Sequence, residues 1–472
     1  MFGIGSRNAF GTTSTLRASM EKPMRRFCVP LLFLAALPAS AATFQVGPTR
    51  PHTTLNALFA AVNLEGGDIV EVDGGVTYPG GVIVPAADGG SPGNPVVIRG
   101  IRVGGQRPVI SGGTNTVEFR QSNHLVFEGF DVTGGTARCI LQGAHEVTVR
   151  DSVIHGCAAH GILGTDLLSG SFTLEYSEIY DAGSGTNLHP LYIQSDEVAH
   201  PGSVFRMRFC YVHNGNGGNL LKSRHERNEI TYNWFQGAFY HELELIGPDE
   251  DTQNPAWTRD LVREDSDVVG NVIVHTNTAF GAVIRAGGDG SGRSKGRVRF
   301  VNNTIVLGPG VSATVFRLFD ELQSVEMHNN VIDTAGGTAR IIRAIDSGAD
   351  PELVWTNGRQ IHGSNNWVRS GSTFVPTSPE WSGTITGASA GFVDLANYDL
   401  RPAAGSPLLN AGNGTPASNP AFVYPGPVFP PAFVPVRAAI AVGAAPARGA
   451  SGTIDIGAFE VLADTIFANG FQ

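Results

Sequence analysis

The sequence predicts an all-β fold, a single-stranded right-handed parallel β-helix with an N-terminal capping helix. Three observations carry this. A short alternating pattern recurs along most of the chain, one residue within it keeps a nearly regular spacing, and no long helical periodicity intervenes. The pattern appears as LVFEGFDV (125–132), VTVRDSVI (147–154), FTLEYSEI (172–179) and FRMRFCYV (205–212). It continues as NEITYNWF (228–235), VVGNVI (268–273), VRFVNNTI (298–305) and VEMHNNVI (325–332). Alternation with period two marks strands, and the Gly, Asn or Asp beside them marks sharp bends. Anchoring each copy on the residue two before its last apolar one gives Phe130, Ser152, Ser177, Cys210, Asn233, Asn271, Asn303 and Asn330. The spacings run 22, 25, 33, 23, 38, 32 and 27, as expected for one coil plus loop insertions. Four anchors in a row are asparagine, which predicts an amide ladder along the stack. A β-sandwich would require hairpins and would not keep one anchor in register.

The remaining segments fit a solenoid. Lys22, Arg25 and Arg26 precede an apolar run, Phe27–Leu37, and Ala39-Ser40-Ala41 follows. That order describes an export signal over residues 1–41, with Met20 or Met24 as the start. A secreted protein is therefore expected, extracellular, periplasmic or cell-surface, and no segment is long and apolar enough to span a membrane. The β-helix is expected over 42–412, a Pro/Ala-rich arm or loop over 413–450, and a closing strand (DIGAFE) with a tail over 451–472. Residues 53–62 (TTLNALFAAV) read as the amphipathic capping helix that a solenoid end requires.

The chain carries 32 Lys/Arg against 42 Asp/Glu, a net charge of −10. The balance becomes more negative without residues 1–41, and such acidity excludes nucleic acid as a partner. Beyond the signal stand Cys139, Cys157 and Cys210. They allow one disulfide at most, and Cys139–Cys157 is the pairing favoured for an oxidising compartment. No Walker loop, zinc spacing or dinucleotide fingerprint is present, and a monomer is expected.

Aligning the coils by their anchors exposes a second column. LYI (191–193), LKS (221–223), LEL (243–245), IRA (284–286), FRL (316–318) and IRA (342–344) fall on successive coils. Alternation turns their central residues outward, giving Tyr192, Lys222, Glu244, Arg285, Arg317 and Arg343. A stripe of arginines suits the carboxylates of an acidic polysaccharide, because the guanidinium fork pairs with them bidentately. The bland reading pairs each arginine with a nearby acid such as Asp289, Asp320 or Asp346. Lys222 and Lys295 are the only lysines after residue 41, among 25 arginines. A lysine kept where arginine is the default suits a residue that must lose a proton. Arg206, Arg208, Arg224 and Arg227 lie near Lys222 in sequence and would favour that loss. Lys295, in SGRSKGR, reads as a solvated loop residue. His189 is a weaker candidate, expected to be exposed in a loop. Glu242 and Glu244 form a possible glycosidase pair, and Asp249, Glu250 and Asp251 an acidic cluster that could hold calcium.

The opening stretch GPTRPHTTLNALFAAVNLEGGDIVEVDGGVTY resembles that of pectate-lyase-like β-helix proteins. YDLRPAAGSPLLNAG (398–412) with DIGAFE (455–460) is similar to the close of many exported β-helix proteins. The tail TIFANGFQ resembles a short C-terminal motif of exported proteobacterial proteins. Within NLLKSR (219–224), Lys222-Ser223 is similar to the Lys-Ser of the chondroitinase B and alginate lyase family. That resemblance implies a lyase in which Lys222 takes the C5 proton of a uronate, an arginine on the next coil serves as acid, and calcium is held by acids before the lysine. The match is partial. The next coil reads HELELIG (241–247), with Glu242 and Glu244 where that arginine would stand, and NGNGGNLL (214–221) offers no carboxylate. Arg224 or Tyr192 would then supply the acid, and Arg285 or Arg224 would neutralise the uronate. The NTD, DD, GHG and RIK signatures of pectin hydrolases of this fold are missing. The expectation is thus a lyase acting on an acidic polysaccharide. A non-catalytic glycan-binding or structural β-helix is the alternative, and a hydrolase using Glu242 and Glu244 comes third.

Overall fold

The computed structural model describes residues 41–247, 256, 264–288, 294–319, 322–337, 339–345, 361–375, 380–418, 430–449 and 452–461. The export signal, the Asp249–Asp251 cluster, Asp289, Asp320, Asp346, Lys295-flanking residues 291–293 and the tail 465–472 lie outside the described residues. Three parallel sheets of thirteen, eleven and twelve strands run the length of the molecule. Each complete coil gives one strand to each sheet. Leu125–Glu128 enters the thirteen-stranded sheet, Asp131–Thr133 the twelve-stranded and Arg138–Gly143 the eleven-stranded, and Val147–Arg150 begins the next coil. This is the parallel β-helix that the alternating copies predict. Its core is a continuous column of inward side chains, such as Phe172 stacked on Phe205 at 5.8 Å.

The bend between the thirteen- and twelve-stranded sheets takes two residues. The first adopts the left-handed conformation, as at Asp151, Tyr176, Phe209, Tyr232, Asn302, Asn329 and Asn365. Gly270, with a φ of 66°, meets the same demand without the Cβ penalty. The second is the anchor residue, and where it is Ser or Asn its side chain turns inward and bonds the backbone of the bend. Asn233, Asn271, Asn303 and Asn330 each donate from Nδ2 to Oδ1 of the next amide, at 3.0–3.1 Å. Each Oδ1 also accepts the backbone N–H of the preceding anchor, as Asn303 does from Asn271 at 3.0 Å. Asn366 continues the ladder 36 residues beyond Asn330, a member the sequence reading did not include. Ser152 and Ser177 hold the same position in earlier coils, with Ser177 Oγ accepting from Ser152 N–H at 3.2 Å.

Bulky residues in left-handed backbone are costly. Here the rings at those positions pack on one another, Tyr176 tilted against Phe209 at 4.8 Å and Phe209 stacked on Tyr232 at 5.5 Å. Phe433, from the Pro/Ala-rich segment, packs edge-on against both Phe209 and Tyr232. The described part of that segment carries only an isolated bridge, Phe433 with Ala447. Two further expectations change in detail. The helix is short, Leu55–Phe59, with Thr54 as its N-cap and Leu55 and Leu58 buried. Asp455–Glu460 forms no strand, because side chains instead of a ladder bind its backbone: Asn302 Nδ2 donates to the carbonyls of Asp455 and Gly457.

Cys139 and Cys157 form the disulfide, while Cys210 is a buried thiol whose pKa burial pushes up to about 12. Among the described residues no helix is long and apolar enough to cross a membrane.

Two stability effects are expected. Asn303→Ala removes a buried acceptor and two donors at once, and should cost roughly 2–4 kcal/mol in urea unfolding. Cys139→Ser with Cys157→Ser opens a short loop and should cost about 3 kcal/mol.

Candidate functional site

The eleven-stranded sheet carries the expected column. Tyr192, Lys222, Glu244, Arg285, Arg317 and Arg343 are direct register partners on successive strands. Leu221, Ser223, Leu243 and Leu245 point inward between them, so burial fixes which face the column occupies. A cavity of about 410 Å³ opens over its first half. His189, Tyr192, Lys222 and Glu244 line it with Arg285, and Asn219, Tyr240, Phe280, Thr186 and Asn187 are also in its walls.

Glu244 is the hub. Its side chain is 4 % exposed; Lys222 Nζ lies 3.7 Å from Oε2 and Arg285 Nη1 lies 3.0 Å from Oε1. Asn219 Nδ2 donates to the same Oε2. Lys222 Nζ also sits 5.1 Å from the centre of the Tyr192 ring. Tyr192 Oη accepts hydrogen bonds from Arg224 Nε at 3.1 Å and Gln194 Nε2 at 3.2 Å. Arg224 is itself buried, with Nη1 donating to the Gly247 carbonyl at 2.6 Å. Arg285 Nε donates to the Gly288 carbonyl at 2.8 Å, and the Arg285 and Arg317 guanidiniums lie 5.0 and 5.3 Å from the Phe319 ring.

His189 is buried, not exposed as its place in a loop implied. Its Nδ1 accepts the Asn219 backbone N–H at 2.9 Å, so the ring proton resides on Nε2. Burial, then the Lys222 charge, drives its pKa down to about 2, and the ring is neutral.

The arginines near Lys222 in sequence mostly serve elsewhere. Arg206, Arg208 and Arg227 belong to the thirteen-stranded sheet, where Arg206 meets Glu229, Arg208 meets Glu175 and Arg227 meets Asp267. Only Arg224 shares the strand of Lys222, and the anion Glu244 lies 3.7 Å from the lysine Nζ. Glu242 does not join Glu244. It precedes the strand, is fully buried, and bonds His275 Nδ1 at 2.7 Å and the Ala238 N–H at 3.2 Å. The two carboxylates have separate partners and do not flank one cavity. Among the described residues no three His, Cys, Asp or Glu converge on a metal-sized site. The cavity's carboxylate, Glu244, is already engaged by Asn219, Lys222 and Arg285, so these residues do not fit the calcium that the resemblance implied.

The two long outer faces distribute charge differently. On the thirteen-stranded sheet Glu71, Arg99, Glu128, Arg150, Glu175 and Arg208 follow one another in register. Signs alternate there, and Glu128 takes both Arg99 and Arg150. On the eleven-stranded sheet Arg285, Arg317 and Arg343 follow without an acid between them. Burial, then Arg285, lowers the pKa of Arg317, and its Nε has no hydrogen-bond partner among the described residues.

Four buried histidines set an acid limit. Burial is the leading cause that lowers the pKa of His160 to about 4, His189 to about 2, His225 to about 4 and His241 to about 3, from 6.5. Between those values the unfolded chain holds more protons than the folded one. Their stabilisation is complete above the unfolded value and is lost as pH falls toward each folded one. The slope is on the order of 1 kcal/mol per pH unit per ring. Thermal midpoints should fall between about pH 7 and pH 5, and His189→Gln should make that fall shallower.

No family model and no curated protein matches the chain. Solved structures do. Pectate lyase Pel9A aligns over 90% of this chain and 97% of its own, with a TM-score of 0.52 and 14% identity. A rhamnogalacturonan lyase aligns over 76% and 92% (TM-score 0.43, 16% identity). An alginate lyase from Paenibacillus sp. str. FPU-7 aligns over 73% and 99% (TM-score 0.41, 14% identity). Identity this low speaks to fold alone, and the fold of this chain is a pectate-lyase-like parallel β-helix.

Proposed function

We propose that the chain is a lyase that cleaves an acidic polysaccharide by β-elimination at a uronic acid. The observation that supports this most is the joining of two features on one sheet. A cavity holding an amine, a phenol and a guanidinium continues into a column of arginines with no intervening acid. On a chain of net charge −10, such a column is a local attraction for a polyanion.

In this reading Arg285 pairs with the uronate carboxylate and makes the neighbouring C–H more acidic. The Lys222 amine takes that proton. The electron pair left behind forms the C4–C5 double bond as the C4–O bond breaks, and Tyr192 gives its proton to the departing oxygen. Arg224 and Gln194 position the phenol, and Glu244 fixes the spacing of Lys222 and Arg285. His189, neutral and protonated at Nε2, supplies a donor to the sugar. Arg317 and Arg343 bind further uronates of the same chain. Action outside the cell is part of this proposal, supported by the apolar leader pattern and by the Cys139–Cys157 bridge, which suits an oxidising compartment.

The rival reading is a glycan-binding β-helix without turnover, which the arginine column favours because it needs no base. The test is ultraviolet absorbance of unsaturated uronate during incubation with alginate, pectate and chondroitin sulfate. Absorbance should rise on one of them. Lys222→Ala should lower kcat about a hundredfold or more, the range of acid–base catalysis, with binding kept within a few fold. Arg317→Ala with Arg343→Ala should instead raise KM for polymer and weaken its salt dependence. Unchanged absorbance and unchanged reducing ends on all three polymers, with binding retained, would establish the rival.

A further inference from the structure

The buried pair Glu242–His275 has no place in that chemistry, yet it lies beneath the wall of the cavity. His275 ends the strand Val272–His275, and both its side chain and that of Glu242 are fully buried. Nδ1 of the ring faces Glu242 Oε2 at 2.7 Å, and Nε2 faces the Phe280 carbonyl at 3.2 Å. Both neighbours are acceptors when Glu242 is ionised, so the ring must offer two N–H groups. The imidazolium is then neutralised by the carboxylate beside it.

The pair joins two loops. Glu242 Oε1 accepts the Ala238 N–H, holding the loop that carries Phe239 and Tyr240. His275 holds the Phe280 carbonyl in the loop that follows its own strand. Asn277 Nδ2 donates to the Phe239 carbonyl at 2.6 Å, a second tie between the same loops. Above these ties the rings meet: Tyr240 is edge-on to Phe280 at 4.7 Å, and Phe239 lies 5.3 Å from it. Tyr240 and Phe280 are aromatic walls of the same cavity that Lys222 and Glu244 line.

We infer that Glu242 and His275 are positioning residues, a buried clasp that sets the Tyr240–Phe280 wall against which the apolar face of a sugar ring packs. The substrate-binding part of this inference rests on the cavity taking a glycan; the clasp itself does not. The sites of substitution touch neither the reacting groups nor the solvent.

Two variants separate the clasp from other roles. Glu242→Gln can donate its amide to a neutral His275 at Nδ1 and accept from Ala238, while Nε2–H still reaches Phe280. Glu242→Ala can do none of this. Amide hydrogen exchange of the free protein reads the clasp without any glycan. Residues 276–283 and 238–241 should exchange at least tenfold faster in Glu242→Ala and close to the wild-type rate in Glu242→Gln. On whichever polymer is turned over, Glu242→Ala should raise KM several-fold with kcat nearly kept, and Glu242→Gln should restore KM. Unchanged exchange in Glu242→Ala overturns the clasp whatever the enzyme does. Loss of kcat in both variants, with exchange unchanged in Glu242→Gln, overturns it in favour of an acid–base role for Glu242. Should Glu242→Ala not fold, His275→Gln gives the same readings, since its amide can bond only one loop at a time.

Discussion

Everything in this molecule depends on how one two-residue bend is satisfied. A parallel solenoid must turn sharply between its thirteen- and twelve-stranded sheets in every coil, and each turn leaves backbone groups in the interior. Ser152 bonds Ser177, and beyond Cys210, whose N–H donates to Asn233, the Asn anchors bond those groups and each other from Asn233 to Asn366. An amide that bonds both the next amide and the next backbone admits only one stagger between neighbouring coils. A coil slipped by one residue would lose its anchor's bonds and reverse its inward and outward faces together. Long insertions can therefore leave a coil, as between Asn233 and Asn271, without disturbing the register of the sheets on either side.

That register is what makes a site out of residues far apart in sequence. Tyr192, Lys222, Glu244 and Arg285 are separated by tens of residues, yet stand on adjacent strands about 4.8 Å apart. The same geometry on the thirteen-stranded sheet gives ion pairs of alternating sign, with Arg99 and Arg150 each flanked by acids above and below. Like charges in adjacent register repel, so the succession of Arg285, Arg317 and Arg343 costs stability unless an anion offsets it. The Phe319 ring beneath two of the guanidiniums accepts part of that cost.

The fold and the column could be read from sequence because both are periodic. Anchors of one residue type betray coil length even when insertions vary it, and Arg285 to Arg317 repeats the spacing of Asn271 to Asn303. Features set by three-dimensional proximity could not. Arg206, Arg208 and Arg227 are close to Lys222 in sequence, but a coil turns through three sheets, and they emerge on another face. Glu242 stands two residues before Glu244, which in a strand would share its face; it lies instead in the preceding bend, where its carboxylate turns inward. His189 looked exposed because it is in a loop, and is buried because Asn219 of the next coil closes over it. Tyr240 and Phe280 lie in aperiodic loops and gave no signal at all. Asn366 was obscured by the long coil that precedes it, and Asp455–Glu460 by apolar residues that seat on the flank without entering a sheet.

The proposed reaction breaks a glycosidic linkage by elimination, and water is the reagent that separates elimination from every hydrolytic alternative. The most direct measurement is mass spectrometry of oligosaccharides released in water enriched in heavy oxygen. Elimination predicts chains that begin with an unsaturated uronate and carry no label from the cleavage step once exchange at reducing ends is blocked by working at short times. Saturated chains that have gained one labelled oxygen per cut would contradict it, and would return the search for the catalytic groups to a pair of carboxylates.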